Sequence, residues 1–309
     1  MKNPKKILSD TGATSSGKLP VVLSLTGYHP VKDILVVGCG GTGAYVVSYL
    51  SRLLSVINKE FKLNRHEEIK LYLADGDIVE EKNLIRQHFI AQDIGRNKAE
   101  VLGERYSGAF GIQIGVIKKD LEKISDFKFL RIYPHRSIII VGCVDNNASR
   151  KVIHEWFIQN GYNYNENYSS KFWIDSGNEE RNGQVVCGYR TGLSGLNSNN
   201  IKPKIQMTSR SGYFSLPCVT EIYPNILKNI DQFNSQISCA ERSASAPQNM
   251  QTNITAANII MNYLNKIIAN EPLKSHCVEF SIDNNFSTKL NTPKNIDIVD
   301  FNRRRRWEA

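Results

Sequence analysis

Nowhere in the 309 residues does an apolar run approach the roughly 18–20 residues of a membrane-spanning helix, so no membrane span is expected. The opening Met1-Lys2-Asn3-Pro4-Lys5-Lys6 lacks a following apolar core, and no secretion signal is expected there. The six cysteines, at 39, 143, 187, 218, 239 and 277, include no Cys-x-x-Cys pair. That spacing argues against a structural zinc site and makes a reducing, cytoplasmic setting the expectation. Internal repeats are absent. Net charge is +9, with a large share from Arg303-Arg304-Arg305-Arg306. No aromatic–basic interleaving or nucleic-acid motif accompanies it, so residues 301–309 read as a solvated basic tail and nucleic acid is not an expected partner.

What is present is ordinary globular composition, 41% hydrophobic and 22% charged, in a length that suits one large α/β domain or two small ones. The chain is organised around Ile34-Leu35-Val36-Val37-Gly38-Cys39-Gly40-Gly41-Thr42-Gly43. An apolar, β-branched run reads as a buried parallel strand. It breaks into four glycines and then into Ala44-Tyr45-Val46-Val47-Ser48-Tyr49-Leu50, which has helical spacing. Strand, glycine turn and helix together aim backbone N–H groups and a helix dipole at a phosphate. The same letters satisfy the dinucleotide fingerprint G-x-G-x-x-G, so a nicotinamide or flavin protein stays open at this point.

Further strands are expected over residues 69–74, 112–117, 137–144, 172–175, 184–189 and 277–282, and helices near 99–110, 148–158 and 257–269. The alternation calls for a doubly wound, Rossmann-like, mainly parallel sheet, extended by antiparallel strands. The expected organisation is a mobile arm over 1–30 and a nucleotide-binding core over 31–190. A long crossover-type loop over 191–250, a closing helix and strands over 251–300, and the basic tail follow. A loop of that length is functional or disordered.

Asp75-Gly76-Asp77 closes the second strand, where open α/β sheets bind ligands. Asn83-Leu84-Ile85-Arg86-Gln87 follows, then Asp93-Ile94-Gly95 with Lys98, and Val144-Asp145-Asn146, with Arg150 after it, closes another strand. Each has a plain alternative: Asp75 and Asp77 as turn or cap residues, Arg86 and Gln87 as loop polars, Lys98 as a helix-surface lysine, Asp145 as a helix cap. Together they set carboxylates, a guanidinium and an ammonium around one glycine turn. Hydride transfer needs a ribose-binding carboxylate but not this set of cations. Attack on an α-phosphate does need it, because negative charge builds there and Arg, Lys and a divalent metal offset it. The combination favours ATP over NAD.

These five elements, in this order and spacing, resemble the ThiF/MoeB/HesA adenylyltransferases, bacterial relatives of ubiquitin-activating enzymes. The match covers roughly residues 33–155 and continues more loosely through Asp175-Ser176-Gly177. The resemblance implies that Asp75 holds the ATP ribose and that the turn of Gly38, Gly40, Gly41 and Gly43 lies against the nucleotide. It implies that Asn83, Arg86 and Lys98 contact phosphates, with Gln87 in support and Asp77 beside the site, and that Asp145 binds Mg²⁺. The implied substrate is the C-terminal carboxylate of a small ubiquitin-like or sulfur-carrier β-grasp protein, activated as an acyl-adenylate. The family's arginine-bearing N-terminal element is not recognisable in residues 1–32, where Lys18 is the one substitute. Its paired zinc cysteines are also missing.

With one nucleotide-binding half, the expectation is a homodimer or pseudo-symmetric heterodimer, with a conjugating enzyme as a further partner. Cys39, Cys143, Cys187 and Cys277 fall in or beside expected strands. Cys218 and Cys239 fall in the long loop, and Cys239, with Arg242 nearby, is the expected thiol acceptor. Alternatives are adenylation of a peptide or a modified tRNA base, an NAD-dependent oxidoreductase, and a non-catalytic scaffold subunit.

Overall fold

The computed structural model describes residues 30–60, 68–130, 136–158, 170–191, 215–228, 249–271, 273, 275–283 and 287–291. Strand β1 (Val31–Val37) is buried along its whole length and leads into helix α1 (Gly41–Glu60). Strand β2 (Lys70–Ala74), helix α2 (Lys98–Phe110), strand β3 (Ile114–Ile117), strand β4 (Ser137–Gly142) and helix α3 (Asn147–Ile158) follow. Strands β5 (Ser170–Asn178) and β6 (Asn182–Thr191) form a hairpin. The chain closes with β7 (Ser215–Leu216), the short helices α4 (Val219–Ile222) and α5 (Asn225–Lys228), α6 (Met250–Ile268), β8 (Cys277–Ser281) and β9 (Ser287–Asn291).

Among the described residues, one sheet carries all nine strands in the order β3-β2-β1-β4-β5-β6-β8-β9, with β7 paired to β6. The first five are parallel, and β6, β8 and β9 run antiparallel to their neighbours. The Rossmann-like, doubly wound, mainly parallel sheet with an antiparallel extension is therefore present. Strand period sorts the core into two layers. Ile34 and Val36 of β1 pack with α1, α2 and α6, whereas Leu35 and Val37 pack with α3 and α4.

Three boundaries differ from expectation. Helix α6 begins at Met250 rather than near 257, because the Asn249 side chain caps it by accepting from Gln251 N–H. Its first turn turns the polar Thr252 and Asn253 inward, which hides the apolar spacing. Inside the expected 191–250 loop, residues 215–228 are ordered as β7, α4 and α5, and Leu216, Cys218 and Val219 are core residues. Strand β9, an edge of polar residues, has no apolar alternation to read. Cys239, Arg242, the arm over 1–29 with Lys18, and the basic tail lie outside the described residues. Among the described residues, no helix is long and apolar enough to cross a membrane.

Candidate active site

Chain direction in the sheet reverses its progress between β1 and β4: β1 continues to β2 on one side, and β4 continues to β5 on the other. In open α/β sheets the crevice beyond the strand ends at such a point is where ligands bind. The glycine turn fills one wall of it. Gly38 has φ +87°, a left-handed conformation, and a Cβ there would lie 2.5 Å from the Cys143 carbonyl oxygen. A Cβ on Gly43 would lie 1.9 Å from the carbonyl oxygen of Gly38, so the turn folds onto itself. Gly40 has ordinary room, with Gln87 Nε2 at 3.6 Å from its Cβ position.

Asp75, at the end of β2, is 8% exposed and locks this turn. Its Oδ2 accepts from Cys39 N–H at 2.6 Å and its Oδ1 from Asp77 N–H at 2.8 Å. Burial raises its carboxyl to about 6, against the opposing pull of Lys98. Asn97, the cap of α2, donates to the carbonyls of Asp75 and Asp77 at 2.8 and 3.1 Å. That clamp sets Lys98 as the first residue of α2, with its buried ammonium 2.8 Å from Asp77 Oδ2. Lys98 and Asp77 thus come as a pair, with Asp77 holding the lysine in place.

The Asn83 segment forms a tight 3₁₀ turn. Asn83 is buried, and its Oδ1 accepts from Glu80 N–H at 2.8 Å, a structural duty beyond the phosphate contact expected of it. Gln87 N–H bonds the Asn83 carbonyl, and the Gln87 Oε1 is buried against Gly40 without a partner among the described residues. Arg86 is half-buried, and its guanidinium makes no hydrogen bond or ion pair among the described residues. At the end of β4, Asn146 rather than Asp145 caps α3, accepting from Ser149 N–H at 2.7 Å, and Asp145 stands exposed. Among the described residues no three acidic, His or Cys side chains gather as a metal site. One carboxylate at the switch point suits Mg²⁺, which takes most of its ligands from water and phosphates.

Of the further site-shaping residues, Arg150, Asp175 and Ser176 belong to stretches that carried the family resemblance, whereas Asn178, Asn253 and Asp120 carried no sequence signal. Arg150 reaches Asp175 Oδ1 at 3.0 Å and the carbonyls of Val144 and Ser176 at 2.7 and 3.0 Å. It fixes the loop bearing Asp145 to β5. Thr42, Asn178 and Asn253 form a knot: Asn178 Nδ2 donates to Thr42 Oγ1 at 2.7 Å, and Asn253 Oδ1 accepts from both partners at 3.2 Å. The knot joins α1, β5 and α6 behind Gly41. Asp120, beyond β3, accepts from Gly76 N–H at 3.2 Å. Apart from Arg150 and Val144, six positions apart, these partners are 25 or more positions apart in sequence.

The cysteines separate clearly. Burial pushes the Cys39 thiol well up and that of Cys143 up to about 12. Cys218, the rival loop cysteine, is fully buried and its thiol is pushed up to about 12.

Fold and site together define a Rossmann-like protein with a glycine turn, a buried carboxylate and a buried lysine at the switch point. The ThiF family model matches residues 31–297, and the chain belongs to the ThiF family. Among solved structures, E. coli MccB with ATP is similar over 86% of this chain and 65% of that chain, at 20% identity and a TM-score of 0.50. PaaA is similar over 84% of this chain and 64% of that one, at 14% identity and a TM-score of 0.50. The chain therefore spans slightly less than two thirds of either. No curated protein matches the sequence.

Proposed function

We propose that the chain is an ATP-dependent adenylyltransferase that activates a carboxylate as its acyl-adenylate. The observation that carries the reading is Asp75, buried at the end of β2 and hydrogen-bonded to the glycine turn through Cys39 N–H. A carboxylate so placed receives ribose hydroxyls while the turn and the start of α1 receive phosphate. Membership of the ThiF family supports ATP as the nucleotide, as does the similarity to MccB, whose structure was determined with ATP.

In this reading a carboxylate oxygen attacks the α-phosphorus, the bond to the bridging oxygen breaks, and pyrophosphate leaves with the electron pair. Arg86 and Lys98 offset the charge that builds on the phosphoryl oxygens, and Asn83 and Gln87 shape the loop that presents Arg86. Asp145 would hold Mg²⁺ with the phosphates, and the ion would supply further charge stabilisation there. The carboxylate is the C-terminus of a small ubiquitin-like β-grasp protein; the Cys239 thiolate attacks the acyl carbon, the bond to the phosphate oxygen breaks and AMP leaves, and a conjugating enzyme then takes the acyl group from the thioester. The working unit is a homodimer. Exposed Ile78, Ile85, Ile90 and Ile94, all within one segment, supply apolar surface for such an interface.

The test is exchange of radiolabelled pyrophosphate into ATP in the presence of candidate β-grasp proteins and peptides. Exchange that requires one β-grasp protein, and that is lost in Arg86→Ala, is the expected result. Exchange driven only by a peptide would replace the acceptor. No exchange with any carboxylate would overturn the adenylation reading.

A further inference from the structure

Strand order dictates where each part of a nucleotide falls. Phosphates lie at the start of α1, which follows β1, and the ribose lies at Asp75, at the end of β2. The sheet runs β3-β2-β1, so the next position outward is the end of β3. Neighbouring strands lie about 4.8 Å apart, close to the reach from a ribose to its base. The ends of β2 and β3 are also tied together, since Asp75 N–H donates to the Ile117 carbonyl at 3.2 Å. The base therefore meets the residues that follow Ile117.

Three charged side chains stand there. Lys118 is paired with Glu100 and Lys119 with Asp126, both turned to neighbouring elements. Asp120 is different. Its Oδ1 accepts from Gly76 N–H at 3.2 Å, which fixes the carboxylate over the Asp75-Gly76-Asp77 turn. Gly76 permits this approach, because a Cβ there would lie 2.9 Å from Asp120 Oδ1. The second oxygen has no hydrogen bond among the described residues. No cation is paired with Asp120 among the described residues, and its charged neighbours are Asp77, Glu122 and Asp145. Asp120 is exposed, so its second oxygen is open to solvent and to a ligand.

We propose that Asp120 reads the base: its second carboxylate oxygen accepts the 6-amino group of adenine and discriminates against 6-oxo purine nucleotides. A carboxylate offers acceptors only, so the 6-oxygen of a hypoxanthine or guanine nucleotide meets acceptor with acceptor. This rests on the nucleotide reading above but not on the chemistry that follows it. Asp120 is a specificity residue and takes no part in phosphoryl chemistry.

The experiment is calorimetric binding of ATP, ITP and purine riboside triphosphate, which lacks any 6-substituent, with Mg²⁺ and no acceptor. The proteins are wild type, Asp120→Asn and Asp120→Ala, each with its melting temperature recorded without nucleotide. In wild type, ATP should bind about 100-fold or more tighter than ITP, with the 6-unsubstituted analogue between them. Asp120→Asn keeps an oxygen for Gly76 N–H and turns an NH₂ outward, so the ATP-to-ITP ratio should fall at least about tenfold. Asp120→Ala should bring ATP down to the affinity of the 6-unsubstituted analogue and leave that analogue unchanged. A ratio equal in all three proteins, or equal weakening of all three nucleotides, would overturn the proposal, as would a wild type that binds no purine nucleotide. A protein that shows the base preference but supports no pyrophosphate exchange would retain this contact and lose the adenylation reading.

Discussion

Cys39 N–H donates to Asp75 Oδ2 at 2.6 Å, so the glycine turn after β1 and the end of β2 are one hydrogen-bonded unit. The carboxylate that orders the turn is the one proposed to bind a ribose, and it is buried.

That charge sets a pH dependence. Burial raises Asp75 from 3.8 to about 6. Between these values the folded chain holds a proton that the unfolded chain has released. The stability contributed by the protonated form is therefore complete below about pH 4 and lost as pH rises through about 6, a change of ~3 kcal/mol at most. Asp175, also raised to about 6 by burial, adds a fall of the same sign. Urea melts of the wild type from pH 4 to pH 7 should show the fall, and Asp75→Asn should show roughly half of it. Identical slopes in the two proteins would remove Asp75 as its source.

The glycines of the turn are not equivalent. A Cβ at Gly43 would meet the Gly38 backbone oxygen at 1.9 Å, and backbone cannot step aside as a side chain can. Gly43→Ala should cost more than ~3 kcal/mol or abolish folding, in the range of severe overpacking and strain. At Gly40 the nearest atom is Gln87 Nε2 at 3.6 Å, an ordinary contact. Gly40→Ala should melt within a few degrees of wild type. A melting temperature for Gly43→Ala equal to that of Gly40→Ala would contradict the geometry.

Arg86 and Lys98 should fail in different ways. Arg86 has no partner among the described residues, so Arg86→Ala should leave the melting temperature unchanged while slowing pyrophosphate exchange by ~10²–10³-fold. Lys98 is buried and paired with Asp77. Lys98→Ala should slow exchange and also lower stability, because it removes a buried side chain and its ion pair from the head of α2. Lys98→Ala combined with Asp77→Ala should recover stability without recovering exchange. A double variant as unstable as Lys98→Ala alone would show that the pair does not hold the turn.

The centre of the parallel half was readable because β1 and β4 are buried on both faces. The run 34–37 in β1 and the run 138–141 in β4 are apolar without interruption, and each leads into a motif at the strand's carboxyl end. The antiparallel extension was harder. β9 is a polar edge strand, and β7 is two residues long and recognisable only by its pairing to β6. The missed site residues share one cause. Thr42 and Asn253 meet across 211 positions, and Asp120 meets Gly76 across 44. A lone Asn in a helix or an Asp after a strand has no local pattern that distinguishes it from a cap. Asp145 shows the reverse: its local pattern allowed a capping role that the neighbouring Asn146 fills.

The final prediction concerns the thiol acceptor. Five cysteines are described, and Cys39, Cys187, Cys218 and Cys277 are buried while Cys143 is half-buried. Cys218 was the rival within the loop region, and its surroundings explain why it is unsuited. Its Sγ lies 3.2 Å from Thr220 Oγ1, which in turn lies 2.7 Å from His154 Nδ1, and the Glu221 carboxylate accepts from Cys218 N–H at 2.9 Å. Burial first, and the Glu221 charge after it, push this thiol up to about 12. The thiolate is the nucleophile, and at neutral pH such a site holds almost none of it. Cys218 is thus a core residue of the 215–228 segment, and Cys239 is left as the proposed acceptor. Cys239→Ala should exchange pyrophosphate at the wild-type rate but form no reductant-sensitive adduct with the carrier protein. Cys218→Ala should keep the adduct and lose ~1–2 kcal/mol of stability, as truncation of a buried side chain does. An adduct that survives in Cys239→Ala, or one that disappears in a folded Cys218→Ala, would assign the thioester to a different thiol.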